Sequence, residues 1–241
     1  MRRLAFAAGG FSAAIFMANY ILPARLLPWL ALLCAAAALG LGFMRRKWLR
    51  AFVITLAALA VGFVWFGGTY LAKALPAKAL DGETAELEGV VLTYSAEYDG
   101  YCRYEMRLRL PGGGVTRAVV YDRSGAAIYA EPGWRLRISA YCRAADTRYG
   151  EDYDYYNSNG IFLVASVKTP PEVISAQRSA WLSFGQDISR SVCAEIERIF
   201  PRDAAAFMKS LLIGSREELY EDAGAYMAMG RAGITHIVAI S

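Results

Sequence analysis

The residues best placed for chemistry in this chain are arginines and tyrosines at alternate positions. In 101–109, YCRYEMRLR, a two-residue period sets Arg103, Arg107 and Arg109 on the same face as Tyr101 and Glu105, with Cys102, Tyr104, Met106 and Leu108 opposite. In 134–143, WRLRISAYCR, Arg135, Arg137, Tyr141 and Arg143 face out while Trp134, Leu136, Ile138, Ala140 and Cys142 face in. Guanidinium groups bind phosphates and phenol rings stack on bases, so the combined surface has the chemistry of a single-strand nucleic-acid groove. Arginine on the wet face of a sheet is also ordinary solvation. Residues 76–175 carry 14 acids against 11 bases, and the EDYDYY run at 151–156 repels phosphate.

Other chemistries find little to build with. The single histidine, His236, lies in an apolar run with no second ligand nearby, which reads as a buried core residue and not a metal site. No Walker loop, HExxH, CxxC cluster or nucleophile–base pair occurs. Gly112–Gly114 lies between two strands and makes a turn. No catalytic residue, metal or cofactor is expected. Of the four cysteines, Cys34 falls in an apolar span and Cys193 in a helix. Cys102 and Cys142 occupy inward positions of strands on the oxidising side, where a disulfide is expected, worth about 4 kcal/mol in the chain-entropy treatment. Two buried free thiols are the other reading.

The elements that must position these residues fall into three parts. Residues 1–75 form the first. No Asp or Glu occurs before Asp81, against nine Lys or Arg, and 4–22, 28–44 and 51–70 are uncharged apolar runs near the length that crosses a bilayer. A cleaved signal is the alternative for the first run. Arg2, Arg3 and the Arg45–Arg50 cluster place the N-terminus and the second loop in the cytoplasm, so that three crossings deliver the chain from about Lys73 onward outside. The expectation is a multi-pass cell-membrane protein.

Residues 76–174 form the second part, with strands predicted at 84–95, 101–110, 115–122, 133–143 and 161–168. Five strands interrupted after the third suggest an all-β, OB-like barrel; an immunoglobulin-type sandwich needs about seven. Residues 175–241 form the third. Trp181, Phe184, Ile188, Val192, Ile196 and Ile199 make the stripe of an amphipathic helix, a second helix runs 202–213 to Gly214, and Ser215 with Glu218 opens a third.

The run FMKSLLIGSREELYEDAGAYMAMGRAGITHIVAIS at 207–241 resembles the opening of the competence domain of the ComEC family of DNA-uptake channels. Leu211, Leu212 and Gly214 end an apolar helix, an acidic amphipathic helix spans 217–226, and Ala232, Gly233, His236, Ala239, Ile240 and Ser241 match the signature that follows. The family continues with Gly and a second His, which this chain lacks. GEDYDYYNSNGI at 150–161 is similar to the element closing the family's outer domain, though shorter and more acidic. The resemblance implies the N-terminal portion of a larger channel that carries single-stranded DNA across the cytoplasmic membrane during natural competence. It implies as partners single-stranded DNA, the lipid bilayer and other competence-machinery proteins, and leaves a homodimer open. A nuclease-like domain of some members lies outside this chain, so no enzyme is expected. A membrane-anchored assembly module whose barrel binds proteins is the alternative.

Overall fold

The computed structural model describes residues 3–43, 49–125, 129–148, 151–152 and 154–214, together with Met227, Gly230, Arg231 and Gly233. The basic residues Arg45, Arg46 and Lys47, the Ser215–Glu218 capping box, the 217–226 helix and the signature positions His236 and Ser241 lie outside the described residues.

Three helices open the chain: α1 (Arg3–Tyr20), α2 (Leu27–Phe43) and α3 (Arg50–Thr69). Two helical stretches among the described residues, Ala24–Phe43 and Arg50–Lys78, are long and apolar enough to cross a membrane. The first of the three expected spans is helical, but α1 begins at Arg3 and ends in Asn19-Tyr20, and it is not among them. Small residues let α1 and α3 approach closely. Gly10, Ala14 and Ala18 form its buried edge. A Cβ at Gly10 would lie 2.7 Å from the Thr55 carbonyl oxygen, and one at Gly62 would lie 2.6 Å from the Ala14 Cβ. α3 continues through a wide turn at 70–74 into α4 (Leu75–Lys78).

The sheet elements follow: β1 (Thr84–Val91), β2 (Ala96–Tyr98), β3 (Tyr101–Arg109), β4 (Val115–Asp122), β5 (Arg135–Ala144), the short pair β6 (Thr147–Arg148) and β7 (Glu151–Asp152), α5 (Asp154–Ser158), β8 (Leu163–Val167) and β9 (Glu172–Ser175). β1, β3, β4, β8 and β5 pair in that order and β5 returns to β1, which closes a five-stranded barrel. All barrel pairs are antiparallel except β4–β8. The predicted barrel is therefore present. β2 extends β3 as a hairpin and β9 pairs with β5 past a bulge; neither was expected. One circuit of paired positions, Val91–Met106–Ala118–Leu163–Ala144, returns to the carboxylate of Asp81, about ten residues before the start, so the strands tilt steeply. Alternation fills the interior with Leu87, Val91, Tyr104, Met106, Leu108, Val120, Leu136, Ile138, Leu163 and Val167.

The chain enters at one end of the barrel and leaves at the other. At the entry end Lys78 pairs with Asp146 at 2.5 Å, and Thr116 Oγ1 donates to the Lys73 carbonyl at 3.4 Å. At the far end the Ser179 amide donates to the Pro132 carbonyl at 2.8 Å, beside Gly133. Gly133 has φ +103°, and a Cβ there would meet the Ser179 nitrogen at 2.4 Å, so only glycine fits.

This layout corrects the expected Cys102–Cys142 bridge: both residues are buried free thiols. Cys142 exchanges backbone bonds with Gly82 and Glu83, just before β1 begins. Cys102 faces Asp122, past the other end of β1, where Val91 already meets Met106. At roughly 3.3 Å per residue along a strand, the two lie well beyond the ~7 Å Cα separation a disulfide spans.

Two helices follow the barrel, α6 (Ala180–Ile199) and α7 (Arg202–Leu212), separated by Pro201 as predicted. Buried Lys209 of α7 pairs with Glu197 of α6. The polar side of α6 faces the barrel. Gln186 accepts from the Tyr94 amide at 3.0 Å and donates to the Leu92 carbonyl at 3.1 Å, completing the backbone pairing that β1 leaves open. Tyr94 donates to Asp187 at 2.6 Å, and the Arg190 guanidinium lies 3.4 Å from its ring centroid. The stripe of Trp181, Phe184, Ile188, Val192 and Ile199 is exposed, while Ile196 is buried.

Candidate nucleic-acid interface

The eight residues proposed from sequence do not share one surface. β3 carries Tyr101, Arg103, Arg107 and Arg109; β5 carries Arg135, Arg137, Tyr141 and Arg143. β1 runs between these strands and points Glu86 and Glu88 outward between the two groups. Arg137 is engaged by Glu172 at 2.9 Å and Glu88 at 4.0 Å. Tyr141 is exposed, and its closest sheet neighbours Thr84 and Ser166 add no second ring.

The β3–β4 face is organised differently. Tyr98, at the end of β2, stacks on Tyr101 with centroids 5.1 Å apart and planes 13° off parallel. Tyr101 meets Tyr121 of β4 at 5.7 Å. Tyr121 and Tyr156 of α5 share a hydroxyl–hydroxyl hydrogen bond of 2.6 Å. Tyr155, exposed, packs edge-on against Tyr156. The Arg123 guanidinium lies 5.9 Å from the Tyr101 centroid. Arg103 is half-buried at the centre of this set. Burial opposes its charge, but Tyr121, a hydrogen bond with Tyr98, and Tyr156 more than offset that and raise its pKa; like any arginine it is cationic.

Local sequence explains the assembly. The tight β2–β3 hairpin, turning at Asp99-Gly100 with Gly100 at φ +81°, sets Tyr98 across from Tyr101. Tyr121 sits beside Arg103 in register. The 145–162 connection is fixed against the outer face of β4 by a small apolar cluster of Val119, Ala145 and Ile161, on which Tyr121 and Tyr156 pack. Arg117 ties the same region together: it pairs with Glu105 at 2.5 Å and donates to the Asn159 carbonyl at 3.4 Å. That makes Arg117 a strut. Arg107 sits across from Arg117 of β4 and Val90 of β1, and Arg109 across from Val115 of β4 and the outward Glu88 of β1.

Of the eight sequence candidates, Tyr101 and Arg103 belong to this cluster and Arg107 and Arg109 lie further along the same strand; Tyr98, Tyr121, Arg123 and Tyr156 join the cluster and were not among the candidates. The alternation 117–119–121 in β4 was a usable signal for Tyr121. The acidity of EDYDYY concealed Tyr156. Of the positions that carry the resemblance, Gly214, just past the α7 cap Ile213, has φ +77° and Gly233 has φ +70°, both glycine conformations. No family model, curated protein or solved structure matches the chain.

Proposed function

We propose that this chain is part of a ComEC-like membrane channel that imports single-stranded DNA, with its barrel receiving or guiding the strand at the outer mouth. The observation that carries the reading is the tyrosine cluster beside Arg103, in which Tyr98 stacks on Tyr101 and Tyr121 meets Tyr101 at a tilt. In barrels of OB type the face of the second and third strands and the loops after the first and fourth are where oligonucleotides bind. In this barrel those are β3, β4, the 92–100 loop and the 145–162 connection, the four elements that build the tyrosine set. A phosphate backbone cannot enter hydrocarbon unaided, so a receiving surface beside a polar path suits apolar helices in the same chain.

In this reading α1 joins α2 and α3 in the membrane, the N-terminus is cytoplasmic and residues from about 73 onward are outside. The charge asymmetry before residue 80 supports that orientation. Other competence-machinery proteins are its partners in this reading, and a homodimer is left open. The rival, an assembly module that binds proteins, is favoured by the net acidity of 76–175 and by the engagement of Arg117 and Arg137 with carboxylates.

Fluorescence anisotropy of labelled single-stranded DNA against the full chain in neutral detergent decides between them. Saturable binding that weakens steeply with salt and prefers single strands over duplex supports the proposal. No binding down to low salt removes the barrel from the DNA path.

A further inference from the structure

A cavity of about 570 Å³ opens between the ends of the three N-terminal helices, remote from the barrel. Arg3, the first described residue of α1, and Arg50, at the start of α3, line it, together with Leu41, Gly42, Val53 and Ile54. We propose that this cavity holds the phosphodiester headgroup of one anionic phospholipid, with its upper acyl carbons against Leu41, Val53 and Ile54. The inference goes beyond the DNA reading and rests only on α2 and α3 crossing a membrane.

Four observations converge on that ligand. Among the described residues neither guanidinium pairs with a carboxylate: the chain has no Asp or Glu before Asp81, and the acidic barrel adjoins the opposite end of α3. The first turn of α3 carries no acidic residue, and its cap, Leu49, makes no side-chain hydrogen bond. The segment joining α2 to α3 adds Arg45, Arg46 and Lys47 to the sequence and no acid. The remaining walls are aliphatic, which suits an amphiphile better than a free, fully hydrated anion. Guanidinium groups flanking one phosphate give the charge-assisted, forked pairing that such headgroups accept.

The test uses the full chain, delipidated in maltoside detergent and titrated with phosphatidylglycerol, binding being read by native mass spectrometry. One phosphatidylglycerol should bind per chain, and phosphatidylcholine should not replace it. Arg3→Gln and Arg50→Gln should each weaken binding roughly fivefold. Gly42→Leu removes no charge; Gly42 lines the cavity and a Cβ there meets nothing within 4 Å, so the larger side chain should narrow the cavity and weaken lipid binding. Arg25→Gln, at the other end of the helices, should change affinity less than twofold, and each variant should keep the helical circular dichroism of the parent. The proposal is overturned if Arg25→Gln weakens binding as much as the cavity variants. It is also overturned if Gly42→Leu binds normally, or if millimolar inorganic phosphate competes with the lipid, which would make the site one for free phosphate. A chain that stays soluble without detergent refutes the spans themselves; a chain that needs detergent yet binds no phosphatidylglycerol refutes the site alone.

Discussion

Tyr101 touches two other rings, Tyr98 stacked at 5.1 Å and Tyr121 tilted at 5.7 Å, so it is held in place at the centre of the tyrosine cluster. Base–aromatic stacking is worth about 1–3 kcal/mol per base, so Tyr101→Ala should weaken single-strand binding on the order of tenfold in the anisotropy assay. Arg137→Ala, whose guanidinium already serves Glu172 and Glu88, should leave it within about twofold; the reverse ranking would move the site to β5. The buried thiol of Cys142 makes a different prediction. Burial, with a smaller contribution from Glu83, pushes it up to about 11 from its ordinary 9.0. Between those values the folded chain keeps a proton that the unfolded chain has lost. Stability is therefore full below about pH 9 and falls as pH rises through about 11, by roughly 2–3 kcal/mol. Urea midpoints measured from pH 8 to 11 should decline over that window, and Cys142→Ala should flatten the decline. At this scale the sequence was half legible. Strand alternation placed each arginine on the correct face of its own strand, but which strands adjoin depends on pairings between residues far apart in the chain. Glu86 and Glu88 of β1 came between two groups that a linear reading merged.

Helices α1 and α3 meet through glycine, and that contact is sensitive to single atoms. Gly62→Val should destabilise the chain in detergent by about 1–3 kcal/mol, since its first carbon already overlaps Ala14, whereas Gly9→Ala should be neutral because nothing lies within 4 Å. Equal effects on the thermal midpoint would contradict the close crossing. The docking of α6 depends on Asp187. Hydrogen bonds from Tyr94 and Ser183, with Arg178 beside it, hold that carboxyl below its ordinary 3.8. Its contribution is present above that value and lost as pH falls through the depressed one. The protection factor of the Tyr94 amide, taken against the intrinsic exchange rate at each pH, should fall in acid, and at neutral pH in Gln186→Ala; protection unchanged in both would show that α6 does not hold the loop. Elements with strong periodicity, such as β3, β5 and α6, were readable because burial on one face imposes the repeat. β2 and β9 were not, since three or four residues carry too little pattern and their pairing is decided by a neighbouring strand. The stripe on α6 was read correctly as amphipathic, but the barrel takes its polar side, a choice made by Tyr94, Gln186 and Asp187.

For the molecule as a whole, the helical stretches Ala24–Phe43 and Arg50–Lys78 join an apolar layer directly to a barrel with a solvated outer surface. Extraction of membranes with alkaline carbonate should leave the chain in the pellet, and recovery in the supernatant would count against both spans. The end-to-end path of the chain has a mechanical consequence. Traction applied between α4 and α6 would reach β1 at the bottom of its ladder with β5 and reach β9 at the top of its own ladder with the same strand. Those ladders are then loaded in shear, many hydrogen bonds at once, instead of being unzipped one at a time. The barrel is built to transmit tension between its two helical neighbours without opening, and rupture forces along this axis should exceed those for pulling on the β2–β3 hairpin.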